Sequence, residues 1–351
     1  MPVFLAVAFL VGVGTSRTHG PTPAAAAPAP PSAPSVPSKS STTSTTAPPP
    51  LQGSALADPA TVSPTTWVDR GDPVMVSTGD RNYFYWTQPL PNLNVPFQSQ
   101  TAGGAWGPMD DALPALPAWA APGATWAPEV HRFGDRWVLY FAAGLASEPT
   151  IHCIGDAVST TPAGPFLPSG QPFVCQTALG GSIDPRVFAD PGGPAYLFWK
   201  SDQNVPPGYG PTELWSQPLA ATGLALTGQA VAVYTAHLAW QGGLVEAPDM
   251  VVGGGTYWLF YSGGVGYFSP DYAIGVARCA GPAGPCTDPS ASPFLAGNQQ
   301  GQGPGEESVY VAPSGDWLVY NPTCSTVNKI PRPTAIVRLG FGPFGPYLAQ
   351  S

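Results

Sequence analysis

The sequence predicts an all-β fold, a five-bladed β-propeller with four-stranded antiparallel blades around a central channel. Charged residues make up only 9% of the chain, while 42 Gly, 47 Pro and many aromatic residues favour turns and strands over long solvated helices. After Trp67 one phrase recurs at a spacing of roughly 55–60 residues, which is typical of a repeat architecture. Each copy reads as a hairpin: an inner strand that opens at a polar residue, a short Gly turn, and a nearly continuous apolar strand.

Five copies of this unit follow one another along the chain. Further apolar segments, such as Glu213–Ser216 and Ala273–Arg278, indicate that a unit can supply four strands. A sandwich or a solenoid would give shorter periods or would need helices, so radial packing of the units is favoured. The predicted inner strands are Asp72–Val76, Trp126–His131, Gly181–Phe188, Val245–Val252 and Glu306–Val311, and the apolar strands that follow are Asn82–Thr87, Trp137–Ala142, Ala195–Lys200, Tyr257–Ser262 and Trp317–Tyr320.

Two segments precede the repeats. Residues 1–20 are predicted to be a signal peptide, because the apolar run Val3–Val13 has the length of a signal-peptide core and is too short to span a bilayer, although no basic residue precedes Arg17. Residues 21–65 are rich in Pro, Ala, Ser and Thr and are expected to form a disordered linker, because this composition cannot bury a core. The propeller domain is placed at 66–351, and the protein is predicted to be secreted or associated with the cell wall.

Cysteine usage agrees with export. The chain has five Cys, which in an oxidising compartment predicts disulfides with one thiol left over. Cys153 with Cys175 and Cys279 with Cys286 are the favoured pairs, because each pair brackets a loop rich in Gly and Pro, and Cys324 is then the odd thiol. The sequence alone leaves the connectivity open.

The charge balance narrows the classes of partner. The formal net charge is −9 and the chain has only three Lys, so a nucleic-acid partner, which needs clustered Lys and Arg, is not expected. No membrane span is predicted in the mature chain. A neutral substrate suits this composition, and a monomer is expected.

Three carboxylates open the inner strands of copies one, three and four: Asp72, Asp184 and Glu246. Inner strands of a propeller begin at one rim of the channel, so these side chains are expected to converge there, at equivalent positions of their blades. Carboxylates brought together drive their pKa values apart, which lets one stay ionised while another keeps its proton. An Asp before Pro commonly caps a backbone N–H, and that structural role is the alternative for any one of them alone.

The same phrases give the chain a resemblance to a known family, glycoside hydrolase family 43, the five-bladed propellers that include arabinanases, α-L-arabinofuranosidases and β-xylosidases. The resemblance covers about Trp67 to Leu348 and depends on five phrases in order. They are Gly71-Asp72-Pro73, Trp126-Ala127-Pro128-Glu129-Val130, Ser182-Ile183-Asp184-Pro185, Val245-Glu246-Ala247-Pro248-Asp249-Met250 and Gly303-Pro304-Gly305.

The resemblance implies roles for the three carboxylates in an inverting hydrolysis of arabinose- or xylose-containing polysaccharides. Asp72 would be the general base, Glu246 the general acid, and Asp184 a neighbour that raises the pKa of Glu246. Inversion needs the acid and the base about 6.5–9.5 Å apart, a gap that two blades facing across a channel can provide. Trp126, at the channel end of blade two, and Arg338, on a late apolar strand, are the candidate substrate-binding residues. Glu129 and Asp249, each one residue past a Pro, are expected to point away from the channel.

The chain departs from the family pattern at blade five. Many relatives have Gly-His-Asn/Ser where this chain has Gly305-Glu306-Glu307-Ser308, and that His helps to hold a metal or an ordered water. A Glu at this place could retain a hard cation such as Ca²⁺ through oxygen or could abolish the site. No cofactor is predicted to be required, and a channel Ca²⁺ stays open without being predicted.

Two other functions fit the sequence less well. A fructan-type glycosidase has a similar propeller, but it would be expected to carry Asn-Asp-Pro-Asn and Arg-Asp-Pro, where this chain has Gly71-Asp72-Pro73-Val74 and Ile183-Asp184-Pro185. A non-catalytic propeller that binds glycans would be favoured if one carboxylate were missing, and all three are present. The sequence leaves open the choice between arabinose and xylose and between endo and exo action.

Overall fold

A computed structural model describes residues 69–87, 92–101, 104–205, 208, 210–267, 269–297, 303–312, 315–322 and 332–349. The chain divides into two units, 1–47 and 48–351, and every described residue belongs to the second. That unit contains five antiparallel sheets, each formed by consecutive strands and together arranged in a ring, so the prediction of a five-bladed β-propeller is confirmed.

Within each blade the strands pair in chain order from the inner strand outward. Among the described residues only blade four has a fifth strand, β17, which pairs with β15. Two 3-10 turns, Thr177–Leu179 and Ala239–Gln241, lie in the described connections. Blade one is β1 (Val74–Ser77), β2 (Arg81–Tyr85), β3 (Pro96–Thr101) and β4 (Asp110–Asp111); blade two is β5 (Ala120–Phe133), β6 (Arg136–Leu145), β7 (Glu148–Ser159) and β8 (Leu167–Pro168); blade three is β9 (Ser182–Ala189), β10 (Ala195–Ser201), β11 (Glu213–Pro218) and β12 (Val231–Thr235); blade four is β13 (Val245–Gly253), β14 (Thr256–Gly263), β15 (Ala273–Cys279), β16 (Cys286–Thr287) and β17 (Leu295–Ala296); and blade five is β18 (Gly305–Ala312), β19 (Gly315–Asn321), β20 (Ala335–Gly342) and β21 (Gly345–Leu348).

The core lies between neighbouring blades, which explains why the second strand of each blade is a continuous apolar run. In β6, Val138 and Tyr140 pack with residues of blade three, whereas Leu139 and Phe141, on the opposite face, pack with residues of blade one. All four are fully buried. Successive side chains of a strand point to opposite faces, so a strand between two neighbours needs apolar residues at every position.

The inner strands of blades two to five contain the same one-residue bulge near their start. In blade one the same offset lies just before β1, where the Thr87 N–H donates to the carbonyl oxygen of Gly71. Opposite β6 and β14, three steps along the inner strand match two steps along the partner: Trp126 to Glu129 faces Ala142 to Tyr140, and Glu246 to Asp249 faces Ser262 to Phe260. The residue inside the bulge has a left-handed backbone conformation in all five blades. These residues are Asp72, Ala127, Asp184, Ala247 and Glu306, with φ between 44° and 57°.

The sequence supports this bulge in a direct way. Pro follows the left-handed residue in four blades, and Pro is tolerated at a bulge because that position has no ladder partner. The equivalence corrects one prediction: Asp72 and Asp184 occupy equivalent positions, but Glu246 lies one residue earlier, beside Ala247. The third carboxylate at the equivalent position is Glu306. A left-handed non-Gly residue costs on the order of 1–3 kcal/mol, and such strain is concentrated at functional sites.

Polar contacts close the ring between blades one and five. All strands of blade one come from the start of the described chain and all strands of blade five from its end, so the two blades exchange no strand. Asn321 Nδ2 donates to the carbonyl oxygen of Arg70 at 2.9 Å, and Ser308 Oγ donates to that of Pro73 at 2.6 Å. The backbone N–H of Arg70 donates to the carbonyl oxygen of Arg332 at 3.1 Å. The seam therefore depends on hydrogen bonds more than on a shared sheet.

The two favoured disulfides are confirmed: Cys153 is bonded to Cys175, and Cys279 to Cys286. The predicted signal peptide, the linker and Cys324 lie outside the described residues, and the domain boundaries stay predictions. No helix among the described segments has the length and apolar content that a membrane crossing requires.

Candidate active site

A cavity of about 810 Å³ opens at the rim where the inner strands begin. Asp72, Asp184 and Glu246 all line it, so the structure brings together the three carboxylates that the sequence singled out. All three are largely buried, with 8–9% of each residue exposed. Like charges in such a partly desolvated space strongly affect one another.

Asp72 is held from blades one and two. The hydroxyl of Thr87, just past the end of β2, donates to Asp72 Oδ2, and Thr87 Oγ1 in turn accepts the backbone N–H of Ala127 at 2.8 Å. The N–H that Thr87 accepts belongs to the left-handed residue of the next blade. The bulge of blade two therefore helps to fix the orientation of the carboxylate that the bulge of blade one projects into the cavity.

Asp184 is the carboxyl group on which burial and like charges act together. Burial raises its pKa, the charges of Asp72 and Glu246 raise it further, and Lys200 opposes them, so that the pKa is about 7. The backbone N–H of Ala247 donates to Asp184 Oδ2 at 2.9 Å. The sequence led us to expect that Asp184 would raise the pKa of Glu246, which stays a prediction. The like-charge effect that the structure does show acts on Asp184 itself.

Glu246 is held at both carboxylate oxygens. Lys200 Nζ donates to Oε2 at 2.9 Å, and the Tyr272 hydroxyl donates to Oε1 at 2.6 Å. Lys200 lies near the end of the apolar strand β10 and also contacts Asp202 at 3.0 Å. Burial works against the ammonium, but the charges of Glu246, Asp202 and Asp184 outweigh it and raise the pKa of Lys200. The geometry leaves Glu246 little freedom to rotate.

A fourth carboxyl group, that of Glu306, lines the same cavity as Asp72. Arg332 Nη1 donates to its Oε2 at 3.2 Å, and the Tyr272 hydroxyl lies 3.5 Å from its Oε1. Burial raises the pKa of Glu306 well above its usual range, and the charge of Asp72 adds to that effect. The sequence had marked Glu306 as a departure from the family pattern without giving it a role in catalysis.

Arg332 connects this pocket to the seam of the ring. Its Nε and Nη2 donate to the two oxygens of Asp69, both at 2.8 Å, in the bidentate geometry that suits a guanidinium group. The guanidinium lies against the backbone of Gly71, where an added Cβ would come 2.0 Å from Arg332 Cζ. Gly71, the residue before Asp72, therefore has to lack a side chain.

The residues at blade five do not fit the metal that the family resemblance left open. Glu306 accepts a hydrogen bond from Arg332, so a guanidinium group already supplies positive charge at this place. The buried Glu307 turns instead to the hydroxyl of Ser262. Among the described residues, no group of three or more His, Cys, Asp or Glu side chains is arranged to hold a metal ion. No catalytic step is assigned to a metal here.

The two predicted substrate-binding residues have different positions. Trp126 lines the cavity, and its ring stacks on that of His152 with centroids 3.6 Å apart. Arg338 is exposed in the middle of β20, the third strand of blade five, with its guanidinium 5.5 Å from the ring of Trp317. The structure does not bring Arg338 to the cavity, because only strand ends reach this rim; the arginine that lines it is Arg332.

One rule of topology locates the site residues that the sequence analysis missed. In an antiparallel blade, the end of the second strand and the start of the third lie at the same rim as the start of the first. Thr87 and Lys200 lie at ends of second strands, and Tyr272 and Arg332 shortly precede third strands. Of these four residues, only Lys200 could have been identified from its neighbouring sequence, because it is a charged residue within an apolar run.

Below the carboxylates, the channel contains a buried ion cluster that corrects another prediction. Glu129 and Asp249 face the channel rather than pointing away from it, and Arg186 lies between them at 3.6 and 3.9 Å. All three line a second cavity of about 490 Å³. Burial raises the pKa of Glu129 to about 7 and that of Asp249 to about 6, and Arg186 opposes both shifts.

Comparison with known proteins gives consistent matches over the propeller. The family model described as glycosyl hydrolases family 43 matches residues 62–343. A probable arabinan endo-1,5-alpha-L-arabinosidase A from Aspergillus flavus is 27% identical, covering 73% of this chain and 82% of that protein. An extracellular exo-alpha-(1->5)-L-arabinofuranosidase from Streptomyces chartreusis is 29% identical, covering 72% and 79%. The crystal structure of a thermostable family-43 glycoside hydrolase superimposes with a TM-score of 0.70 at 25% identity, covering 81% of this chain and 93% of that one.

Proposed function

The chain belongs to glycosyl hydrolases family 43, and on that premise we propose that it acts outside the cell as an inverting glycosidase on arabinose-containing polysaccharides. The observation that carries the proposal is the convergence of Asp72, Asp184 and Glu246, from three different blades, on one cavity. The arabinose preference is supported by the names of the two relatives, and the extracellular location by the name of the Streptomyces protein.

In a single-displacement reaction, the contacts of Asp72 and Glu246 give each carboxyl group a defined role. Asp72, oriented by Thr87, takes a proton from a water molecule, whose oxygen attacks the anomeric carbon while the bond to the leaving oxygen breaks. Glu246, after taking up a proton from solvent, gives this proton to the leaving oxygen. Lys200 and Tyr272 hold Glu246 in place for this transfer. After the reaction Asp72 holds an extra proton and Glu246 lacks one. Asp72 then releases its proton to solvent and Glu246 takes one up, which restores the starting state.

Asp184 and Trp126 act on the bound sugar in this scheme. With a pKa of about 7, Asp184 carries a proton below neutral pH and can donate it in a hydrogen bond to a sugar hydroxyl. Trp126 offers an aromatic face at the cavity wall, and aromatic faces pack well against the C–H surfaces of sugars. The cavity of about 810 Å³ lies within the usual range of roughly 300–1,000 Å³ for ligand sites.

The substrate and the stereochemistry can be tested together. Linear arabinan and aryl α-L-arabinofuranosides are the expected substrates, with xylan and aryl xylosides as the comparison set. Proton NMR of the first product should show the anomer opposite in configuration to the substrate. Retention would contradict the inverting mechanism, hydrolysis of the xylose set alone would contradict the arabinose assignment, and inactivity on all of them would favour a glycan-binding propeller.

The roles of the two working carboxylates can be separated by leaving group. Glu246→Gln should lose roughly 10²–10⁴-fold in kcat on arabinan but much less on an aryl glycoside whose leaving group departs without a proton. Asp72→Asn should lose a similar factor on both substrates, because activation of water is needed in each case. Asp156→Asn is the matched control, since Asp156 is also buried and accepts from a hydroxyl, that of Ser169, but lies outside the cavity. Equal losses for Glu246→Gln on both substrates would contradict its role as the acid.

A further inference from the structure

We propose that Tyr267 is a substrate-binding residue that contacts the sugar unit next to the one being cleaved, so that the cavity favours arabinan chains over single arabinose units. The proposal rests on the proposed function for the arabinose chemistry and for the place of cleavage. Tyr267 belongs to the connection from β14 to β15, and both Tyr267 and Val265 of that connection line the cavity.

These two side chains form an exposed apolar surface at the cavity. Of the large apolar residues that are exposed in the described part of the chain, Val265 and Tyr267 are the ones that line this cavity. Val265 is 63% exposed and Tyr267 is 40% exposed, whereas the three carboxylates lie deeper, at 8–9%. Neighbouring apolar residues that stay in water beside a cavity commonly mark a surface that a ligand covers.

The backbone of this connection has a defined shape. Gly264 and Gly266, on either side of Val265, have φ values of 134° and 136°, a conformation that residues with a side chain rarely adopt. A Cβ on Gly264 would come 2.9 Å from the carbonyl oxygen of Asp271. The N–H of Gly264 donates to the carbonyl oxygen of Gln241 at 3.1 Å, which ties the connection to the segment before β13. The two glycines therefore determine where Val265 and Tyr267 are presented.

Arg332 supports the ring of Tyr267. Its guanidinium carbon lies 5.3 Å from the ring centroid, within the range of a cation–π contact. The guanidinium is itself held by Asp69 at 2.8 Å and by Glu306 at 3.2 Å. A ring that is already held in place loses little conformational freedom when a ligand packs against it, and aromatic rings pack well against the C–H surfaces of sugars.

The position of Tyr267 relative to the carboxylates indicates which sugar it meets. The same connection ends near Tyr272, whose hydroxyl donates to Glu246 Oε1 at 2.6 Å, so Tyr267 and the acid are linked by a short segment. The sugar that is cleaved has to lie at the buried carboxylates, beside the partly buried Trp126. Tyr267 lies nearer to solvent than either, and the next unit of a chain leaving the cavity would therefore pass it.

Substrates of different length test this role. Tyr267→Ala should raise KM on linear arabinan by roughly threefold to tenfold with little change in kcat, because the contact contributes to binding and not to chemistry. Methyl α-L-arabinofuranoside has no second sugar, so kcat/KM on this substrate should stay within about twofold of wild type, which also shows that the variant is folded. Tyr267→Phe keeps the ring and should retain wild-type values on both substrates.

Two further variants serve as comparisons. Tyr347→Ala is the matched control, because Tyr347 is a tyrosine of similar exposure, 50%, on the outermost strand of blade five and outside the cavity, and it should behave as wild type. Trp126→Ala should impair both substrates, since Trp126 lies beside the sugar that is cleaved. Equal losses for Tyr267→Ala on arabinan and on the methyl glycoside, or no loss on arabinan, would overturn the proposal and leave the proposed function standing.

A second measurement needs no turnover. Asp72→Asn, with and without Tyr267→Ala, is run in native gels that contain linear arabinan, and the retardation at several arabinan concentrations gives the dissociation constant. The added substitution should weaken binding by the same roughly threefold to tenfold, and equal binding would overturn the proposal. If the wild type hydrolyses no glycoside while retardation depends on Tyr267, the proposed function fails and this proposal stands. If neither hydrolysis nor retardation occurs, both fail.

Discussion

Replacing Asp184 by Asn is expected to stabilise the protein by an amount that grows as the pH rises. The folded protein raises the pKa of Asp184 from 3.8 to about 7, so between these values the folded state holds a proton that the unfolded chain has released. Stability contributed by this group is therefore fully present below pH 3.8 and is lost as the pH rises through 7. Asn carries no such proton and should not suffer the loss, and its side-chain oxygen can still accept the Ala247 N–H.

The size of the effect follows from the shift. A change of one in the pKa on folding corresponds to about 1.4 kcal/mol. The difference in the free energy of unfolding between Asp184→Asn and wild type should therefore widen by on the order of 4 kcal/mol from pH 4 to pH 8. Urea denaturation at half-unit steps of pH measures this gap directly. Asp80→Asn, at an exposed position in the turn after β1, is the control whose gap should stay flat. A constant gap for Asp184→Asn, or one that widens toward acid pH, would refute the reasoning.

Three further predictions concern the glycine beside the base, the disulfides and the aromatic wall. Gly71→Ala should destabilise the fold by roughly 1–3 kcal/mol and reduce kcat, since its Cβ would displace the Arg332 guanidinium; unchanged melting and turnover would contradict this. Removing the Cys153–Cys175 disulfide, which spans 22 residues, should lower the free energy of unfolding by about 3 kcal/mol. Removing the Cys279–Cys286 disulfide, which spans 7 residues, should lower it by about 2 kcal/mol. Chemical denaturation measures both losses, and the reverse order would contradict the prediction. Trp126→Ala should raise KM by roughly threefold to tenfold with little change in kcat, and a loss confined to kcat would argue against a binding role.

The repeat made the fold predictable from sequence. Five copies of a hairpin phrase, with apolar runs long enough to be buried on both faces, determined both the number of blades and the channel toward which Asp72 and Asp184 point. The Asp-Pro and Ala-Pro phrases also carried the signature of the bulge, since Pro fits where the ladder has no partner. Local pattern was sufficient for these features because each lies within one hairpin.

The rest of the site depends on contacts that no local pattern records. Arg332 contacts Asp69 across 263 residues of sequence. The local pattern of a cation on an apolar strand pointed instead to Arg338, which lies in the middle of its strand and cannot reach the rim. Likewise, Glu246 resembled Asp72 and Asp184 by its place in the phrase, yet the bulge places Glu306 at their equivalent position. A one-residue offset of this kind is visible only when the backbone conformation is known.

The seam between the first and last blades also links activity to the integrity of the ring. Asp72 and Glu306 belong to opposite sides of that seam, and Arg332, which contacts Glu306, also holds Asp69 at the start of the described chain. A small parting of the two blades would separate the base from its neighbour while all five sheets kept their own hydrogen bonds. The enzyme would thus lose activity before its secondary structure melted. Loss of catalysis would then be the earliest sign that the ring is opening at this seam.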